Sequence, residues 1–186
     1  IDDKSANILT QYLGNDLSKI NNELSKLVLH LKKGDQINPK IIEDNIGISK
    51  DFNVFELQNA LGIKDVLKSN QIIKYFSENP KNHPFVLTLS SLFTFFQKVM
   101  IYQNLKDKSS KNAASALGIN PYFISQFQTA SRNYPMKKLF KIFTYLKEYD
   151  LKSKGVNNTS TALQQTIQHK YFLEFCNSLH KRSWLL

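Results

Sequence analysis

Tyr12-Leu-Gly-Asn-Asp-Leu-Ser-Lys-Ile-Asn-Asn-Glu-Leu-Ser-Lys-Leu27 reads as a short break followed by the start of a helix. Gly14 permits the break, and Asn15 or Asp16 can accept the orphan amide hydrogens of a first turn. Leu17, Ile20, Leu24, Leu27 and Leu31 then recur at steps of three and four, which sets one apolar stripe along the helix. Asp2 to Leu13, before the break, reads as helix as well. A helix pair this close to the first residue is expected of a fragment that begins inside a longer fold.

Working outward, Gly34-Asp35 closes the pair, and Asn38 with Pro39 is a cap followed by proline at the first helical position. That signal predicts a third helix to about Ile46. Gly47 to Phe52 breaks the apolar period and reads as a linker. Two further helices are predicted over Asn53–Leu61 and Lys64–Ser77, with the break at Gly62. After the loop Pro80-Lys-Asn-His-Pro84, the segment from Phe85 to about Lys106 is apolar on more than one face, as a central helix buried by its neighbours would be. Phe93, Phe95 and Phe96 within it read as core. Ser110–Leu117, Pro121–Asn133 and Met136–Lys152 follow, then a loop at Gly155-Val-Asn-Asn-Thr159 and a last helix from about Thr159 to His180. The expected fold is all-α: a small three-helix domain over residues 1–48, followed by a larger helical bundle over residues 49–186.

Composition agrees. The 186 residues hold only six glycines and five prolines, which favours helices over a turn-rich β fold, and 41% are apolar. The lone Cys176 excludes an intrachain disulfide and fits a reducing cytoplasm. No uninterrupted apolar run reaches the ~18 residues expected of a bilayer span. The charge is lopsided. Residues 1–97 balance at 11 Lys against 11 Asp+Glu, while residues 98–186 carry 14 Lys+Arg against 4 Asp+Glu, which accounts for the net +10. Such a field points to nucleic acid or an acidic protein surface, or to no more than a well-solvated lysine-rich exterior.

Enzyme chemistry is not legible. A phosphate-cradling loop needs clustered glycines ahead of a helix, and the glycines here are isolated. Cys176 and His180, four apart on a predicted helix, could face one ion, but a structural zinc site needs about four ligands. A buried thiol and a surface imidazole are the plainer reading, and as nucleophile and base the pair lacks an orienting third residue. Glu148 and Asp150 stand two apart, so on a helix they face different ways. Asn157 and Asn158 open glycosylation sequons that a cytoplasmic chain would never expose to that machinery. No catalytic residue, cofactor or metal is expected.

One motif carries more. In Ala113-Ala-Ser-Ala-Leu-Gly-Ile-Asn-Pro-Tyr-Phe-Ile124, a small residue, a turn glycine and an aliphatic fall at helix-turn-helix spacing. Ala114 would let two helices approach, Gly118 would take the left-handed turn, and Ile124 would pack behind the second helix. Ser125, Gln126, Gln128, Thr129 and Arg132 follow on a helix that could meet base edges or phosphates. Lys108, Lys111, Gln126, Arg132, Lys137 and Lys138 are the candidate DNA-facing residues. Residues 113–133 would, on that reading, be the DNA-binding element of a transcriptional regulator. The same pattern also describes any helix pair joined by a tight glycine turn. Tyr122, Phe123 and Phe127 read as packing residues. Trp184, in an apolar tail after Lys181-Arg182, could dock on the body or on a partner.

The order of these motifs resembles the delta subunit of the bacterial DNA polymerase III clamp loader. The resemblance rests on Gly14 through Leu27, on Asn53-Val-Phe-Glu-Leu-Gln-Asn-Ala-Leu61, on the helix opening Pro84-Phe-Val-Leu87, and on Leu117-Gly-Ile-Asn-Pro-Tyr-Phe123 leading through Leu139–Asp150 to Lys152-Ser-Lys154. It covers nearly the whole chain. It implies the family's helical lid over residues 1 to about 48 and its helical collar beyond, without the N-terminal ATPase-like domain that opens the clamp. It also implies a bacterial, cytoplasmic, nucleoid-associated assembly protein. Its partners would be the tau/gamma and delta-prime subunits through the collar, the sliding clamp through the N-terminal domain, and primed DNA in the complex. ATP-using relatives carry an arginine at the start of the lid helix; Gly14-Asn-Asp-Leu17 has none, which implies a non-hydrolysing subunit. The resemblance makes the helix-turn-helix a packing feature of the collar.

Overall fold

The structure is a computed structural model that describes residues 1–13, 17–32, 34–46 and 52–154. Among those residues all regular structure is helical: α1 (Asp3–Leu13), α2 (Leu17–His30), α3 (Pro39–Ile46), α4 (Val54–Ile63), α5 (Val66–Glu78), α6 (Phe85–Asn104), α7 (Ser110–Leu117), α8 (Ile124–Asn133) and α9 (Met136–Ser153), with a 3-10 turn at Pro121–Phe123 before α8. The turn residues Gly14 to Asp16, most of the Gly47–Phe52 linker, and the last predicted helix with Cys176, His180 and Trp184 lie outside the described residues, as do Asn157 and Asn158. The chain divides into two compact units, Ile1–Phe55 and a second that begins at Glu56.

In the first unit α1, α2 and α3 pack on one another. Their core is Ile8, Leu9, Leu27 and Ile42, flanked by Leu13, Leu24, Ile37, Ile41, Ile46 and Phe55. Asp2 caps α1, its carboxylate accepting from the Ser5 amide at 2.7 Å. Asn38 caps α3 by accepting from the Ile41 amide at 3.1 Å, with Pro39 at the first helical position as predicted. The α2 stripe is narrower than its period suggests. Leu27 is fully buried but Leu17 is 80% exposed, because Leu17 opens the helix and the three-helix core lies farther along it. The helix ends at His30, ahead of the closing Gly34-Asp35. Lys32 donates its amide to the Asp35 carboxylate, the Asp35 amide returns to the Lys32 carbonyl, and Gly34 takes positive φ between them.

In the second unit α6 is central, with α7, α8 and α9 packed against it. It is long and apolar enough to cross a membrane by those criteria alone. Here it is a core helix: Phe85, Leu89, Leu92, Phe95, Phe96, Val99 and Tyr102 are all buried. Its outer face departs from the expectation. Phe93 is 45% exposed and meets Phe143 of α9 edge to face at 5.3 Å. Three phenylalanines within four residues of a helix cannot all point one way. Gln58 of α4 reaches α6, donating to the Ser91 hydroxyl at 2.8 Å and to its carbonyl at 3.2 Å.

The predicted break at Gly62 does not occur, since α4 runs through it to Ile63. Gly62 is buried, and a Cβ there would meet Phe95 at 3.4 Å and Ala130 at 3.5 Å. Its role is close packing. The reversal falls at Lys64, which takes φ 61°. The Lys64 amide returns to the Leu61 carbonyl at 3.0 Å and the Asp65 amide to the Ala60 carbonyl at 2.8 Å, the paired bonds of a Schellman ending. Asp65 then caps α5 by accepting from the Lys68 amide at 2.9 Å.

At the far end of α5, His83 folds back on Phe76, rings stacked at 4.1 Å and 9°, with Tyr75 tilted at 5.5 Å. Burial holds the His83 imidazole below its ordinary 6.5, because a charged ring is poorly solvated there. The folded state therefore binds this proton more weakly than the unfolded chain. Its stabilising contribution is full above pH 6.5 and is lost as pH falls through the folded-state value. Urea midpoints measured from about pH 7.5 to 5 should fall, and His83→Gln should flatten part of that fall. Parallel profiles for the two proteins would show that His83 is not the group responsible.

Candidate interaction surface

The helix-turn-helix spacing is built as the residues dictate. Gly118 sits at φ 60°, ψ 45°, a left-handed conformation that costs a non-glycine residue roughly 1–2 kcal/mol. Its amide returns to the Ser115 carbonyl at 3.2 Å and that of Ile119 to Ala114 at 3.1 Å. Asn120 then accepts from the Tyr122 amide at 2.9 Å, and Pro121 opens the 3-10 turn. Ala113, Ala114 and Leu117 of α7 and Ile124, Phe127 and Ala130 of α8 are buried. Phe127 meets Phe95 at 5.4 Å. Tyr122 departs from its predicted packing role: it is 65% exposed, held edge to face on Phe123 at 5.1 Å. The proline-led turn points it away from the α8 face that packs.

The end of α8 is clasped to the end of α4. The Tyr134 hydroxyl, wholly buried, donates to the Leu61 carbonyl at 2.6 Å, and the Asn133 side-chain amide donates to the Gly62 carbonyl at 2.8 Å. Those carbonyls are among the last of α4; that of Leu61 also accepts from the Lys64 amide, so the hydroxyl is its second donor. Gln103 of α6 in turn donates to the carbonyls of Ser131 and Tyr134. The clasp fixes the α4–α5 turn beside the start of α9.

The six candidate DNA-facing residues do not form one row. Lys108 and Lys111 are exposed at the connection of α6 to α7, with the Lys108 ammonium 5.6 Å from the Tyr102 ring centroid. Arg132 and Lys137 are exposed, and Lys138 half-buried, around the turn from α8 to α9. Gln126 is half-buried on α8 and belongs to neither group. Lys64, not among the six, joins the second group. Its ammonium lies 5.3 Å from the centroid of the Tyr134 ring and close enough to Lys138 to interact with it. Burial, and after it the Lys138 charge, hold Lys64 below the ordinary lysine value. Sequence reasoning could not have found this neighbour, since 74 positions separate the two lysines.

Lys152 and Lys154 of α9 are engaged by Glu148 and Asp150, each at 2.6 Å. Those carboxylates, which stand on different faces, thus serve surface ion pairs. Among the described residues no group of three or more His, Cys, Asp or Glu could hold a metal ion.

Residues 51–171 match the protein family described as the DNA polymerase III delta subunit, C-terminal domain. Among solved structures, the Bacillus subtilis DNA clamp loader delta protein (YqeN) is similar to this chain at 20% sequence identity, with a TM-score of 0.59. The match covers 94% of this chain and 50% of that one, so the chain spans about half the length of this relative. At that identity the likeness shows the fold. No curated relative matches the chain.

Proposed function

Because the chain belongs to the family formed by the C-terminal domain of the DNA polymerase III delta protein, we propose that it is the lid and collar portion of a clamp-loader subunit. The observation that carries the reading is the family match over residues 51–171, to which the similarity of the all-helical fold over 94% of the chain adds support. Residues 1–48 are the lid and residues 49–186 the collar. The collar docks against the related collars of the tau/gamma and delta-prime subunits, in a complex that sets the sliding clamp on primed DNA. Contact with the clamp belongs to an N-terminal domain of the parent protein. The role is assembly and placement rather than catalysis, and it is exercised in the cytoplasm at the nucleoid.

The basic charge fits this setting, since a loader that surrounds primed DNA works in a field of phosphates. The helix-turn-helix contributes packing: the faces of α7 and α8 that meet α6 are apolar. No observation favours a transcriptional regulator.

The test is assembly. Mixed with the other loader subunits and run on gel filtration, the chain should co-elute with them in a stoichiometric complex. Failure to co-elute, together with tight and salt-sensitive binding to one DNA sequence, would overturn the proposal in favour of the regulator.

A further inference from the structure

We propose that the groove between α6 and α9 binds an amphipathic helix of another protein, apolar on one face and acidic along its edge. The inference stands on the surface of the second unit itself, whatever complex the chain enters.

The groove follows from how the two helices pack. Phe93 of α6 meets Phe143 of α9 at 5.3 Å, and Gln103 near the end of α6 donates to the Tyr134 carbonyl just ahead of α9. The helices therefore run antiparallel, in a register that places Met100 beside Met136. Each carries a second apolar row besides the one it gives to the core. On α6, Val86, Phe93 and Met100 recur at steps of seven; on α9, Met136, Phe140 and Phe143 recur at steps of four and three. Val86 and Phe93 are exposed, Phe140 is 60% exposed, and Met100, Met136 and Phe143 are half-buried. The strip runs about 21 Å from Val86 to Met100 at ~1.5 Å per residue, the length of about four helical turns.

A solvated exterior has no need of this second row. Both methionines of the chain stand on it beside three phenylalanines, and adaptable thioethers with aromatic anchors are the composition of surfaces that seat a helix. The side chains line a channel between two helix axes rather than crown a single helix, which suits a helix laid lengthwise better than a lipid surface.

Charge decides what kind of helix fits. The α6 side of the groove is neutral, since that helix holds no acidic residue. On α9, Glu148 and Asp150 are engaged by Lys152 and Lys154. Lys137 and Lys147 are exposed, lie one turn or two from Phe140, and enter no ion pair among the described residues. The rim is therefore cationic along α9, and carboxylates on the incoming helix would complement it. A second copy of the chain is disfavoured, because it would set its own lysine rim and net +10 against this one.

The experiment is fluorescence anisotropy of the full chain with two labelled synthetic peptides. Each has about three heptads with leucine at a and d; one carries glutamate at e and g and the other lysine, which also keeps each peptide from pairing with itself. The glutamate peptide should bind roughly tenfold more tightly than the lysine peptide. Phe140→Ser should weaken it by a further factor of roughly ten, with the urea midpoint unchanged because the side chain is exposed. The double variant Lys137→Glu, Lys147→Glu should reverse the preference between the peptides, an outcome that misfolding cannot produce. The inference is overturned if neither peptide binds, if the two bind equally, or if Phe140→Ser binds as the wild type does. It is also overturned if Phe140→Ser abolishes self-association in sedimentation velocity, or binding to phosphatidylglycerol vesicles, since the face would then belong to a second copy or to a membrane.

Discussion

Tyr134→Ala should lower the unfolding free energy by about 3–5 kcal/mol, and Tyr134→Phe by about 0.5–1.5 kcal/mol. Tyr134 is fully buried between three elements. Its ring packs edge to face on Phe96 of α6 at 5.3 Å, and its hydroxyl reaches the Leu61 carbonyl of α4. Alanine removes the ring and leaves a cavity in the middle of the second unit. Phenylalanine keeps the ring but removes one of the two donors to the Leu61 carbonyl, which retains the Lys64 amide. The two changes separate packing from hydrogen bonding, and equilibrium urea unfolding reads both. If Tyr134→Phe is neutral, the Lys64 amide alone satisfies the Leu61 carbonyl and the clasp is weaker than its geometry implies.

The helices are legible because caps and apolar periods are local. Asn38 with Pro39, the left-handed Gly118 and the apolar run from Phe85 each stand where their chemistry requires. Expectation and structure part where tertiary packing outvotes a local signal. Gly62 reads as a breaker, but the close approach of Phe95 and Ala130 gives it a reason to be small inside a helix, and the reversal falls at Lys64. Leu17, Phe93 and Tyr122 are apolar enough to predict burial, yet hydrophobic residues are common on surfaces, and only neighbouring elements decide which are covered.

The candidate site is legible in kind and not in detail. Charge asymmetry points to the C-terminal half, and Arg132, Lys137 and Lys138 do gather around one turn. The pairing of Lys64 with Lys138 depends on side chains of Asn133 and Tyr134 crossing to α4. No spacing rule along a single helix can report that.

Leu27→Ala should unfold the first unit in preference to the second. That unit has 55 residues, and at 0.05–0.15 kcal/mol per residue its whole stability is roughly 3–8 kcal/mol. Among the described residues, Leu27 is one of the four buried apolar residues of its core and the single buried position of α2. Replacing it with alanine costs about 2–5 kcal/mol, a large part of what so small a unit has. Hydrogen exchange should therefore show amides of α1, α2 and α3 losing protection, while those of α6, held by a separate core, keep theirs. Leu17 supplies the control. It belongs to the same apolar stripe but is 80% exposed, so Leu17→Ala should stay within about 0.5 kcal/mol. Equal loss of protection in α2 and α6 would mean that the two units unfold as one. Equal effects of the two leucine changes would mean that the stripe, and not the three-helix core around Leu27, holds α2 in place.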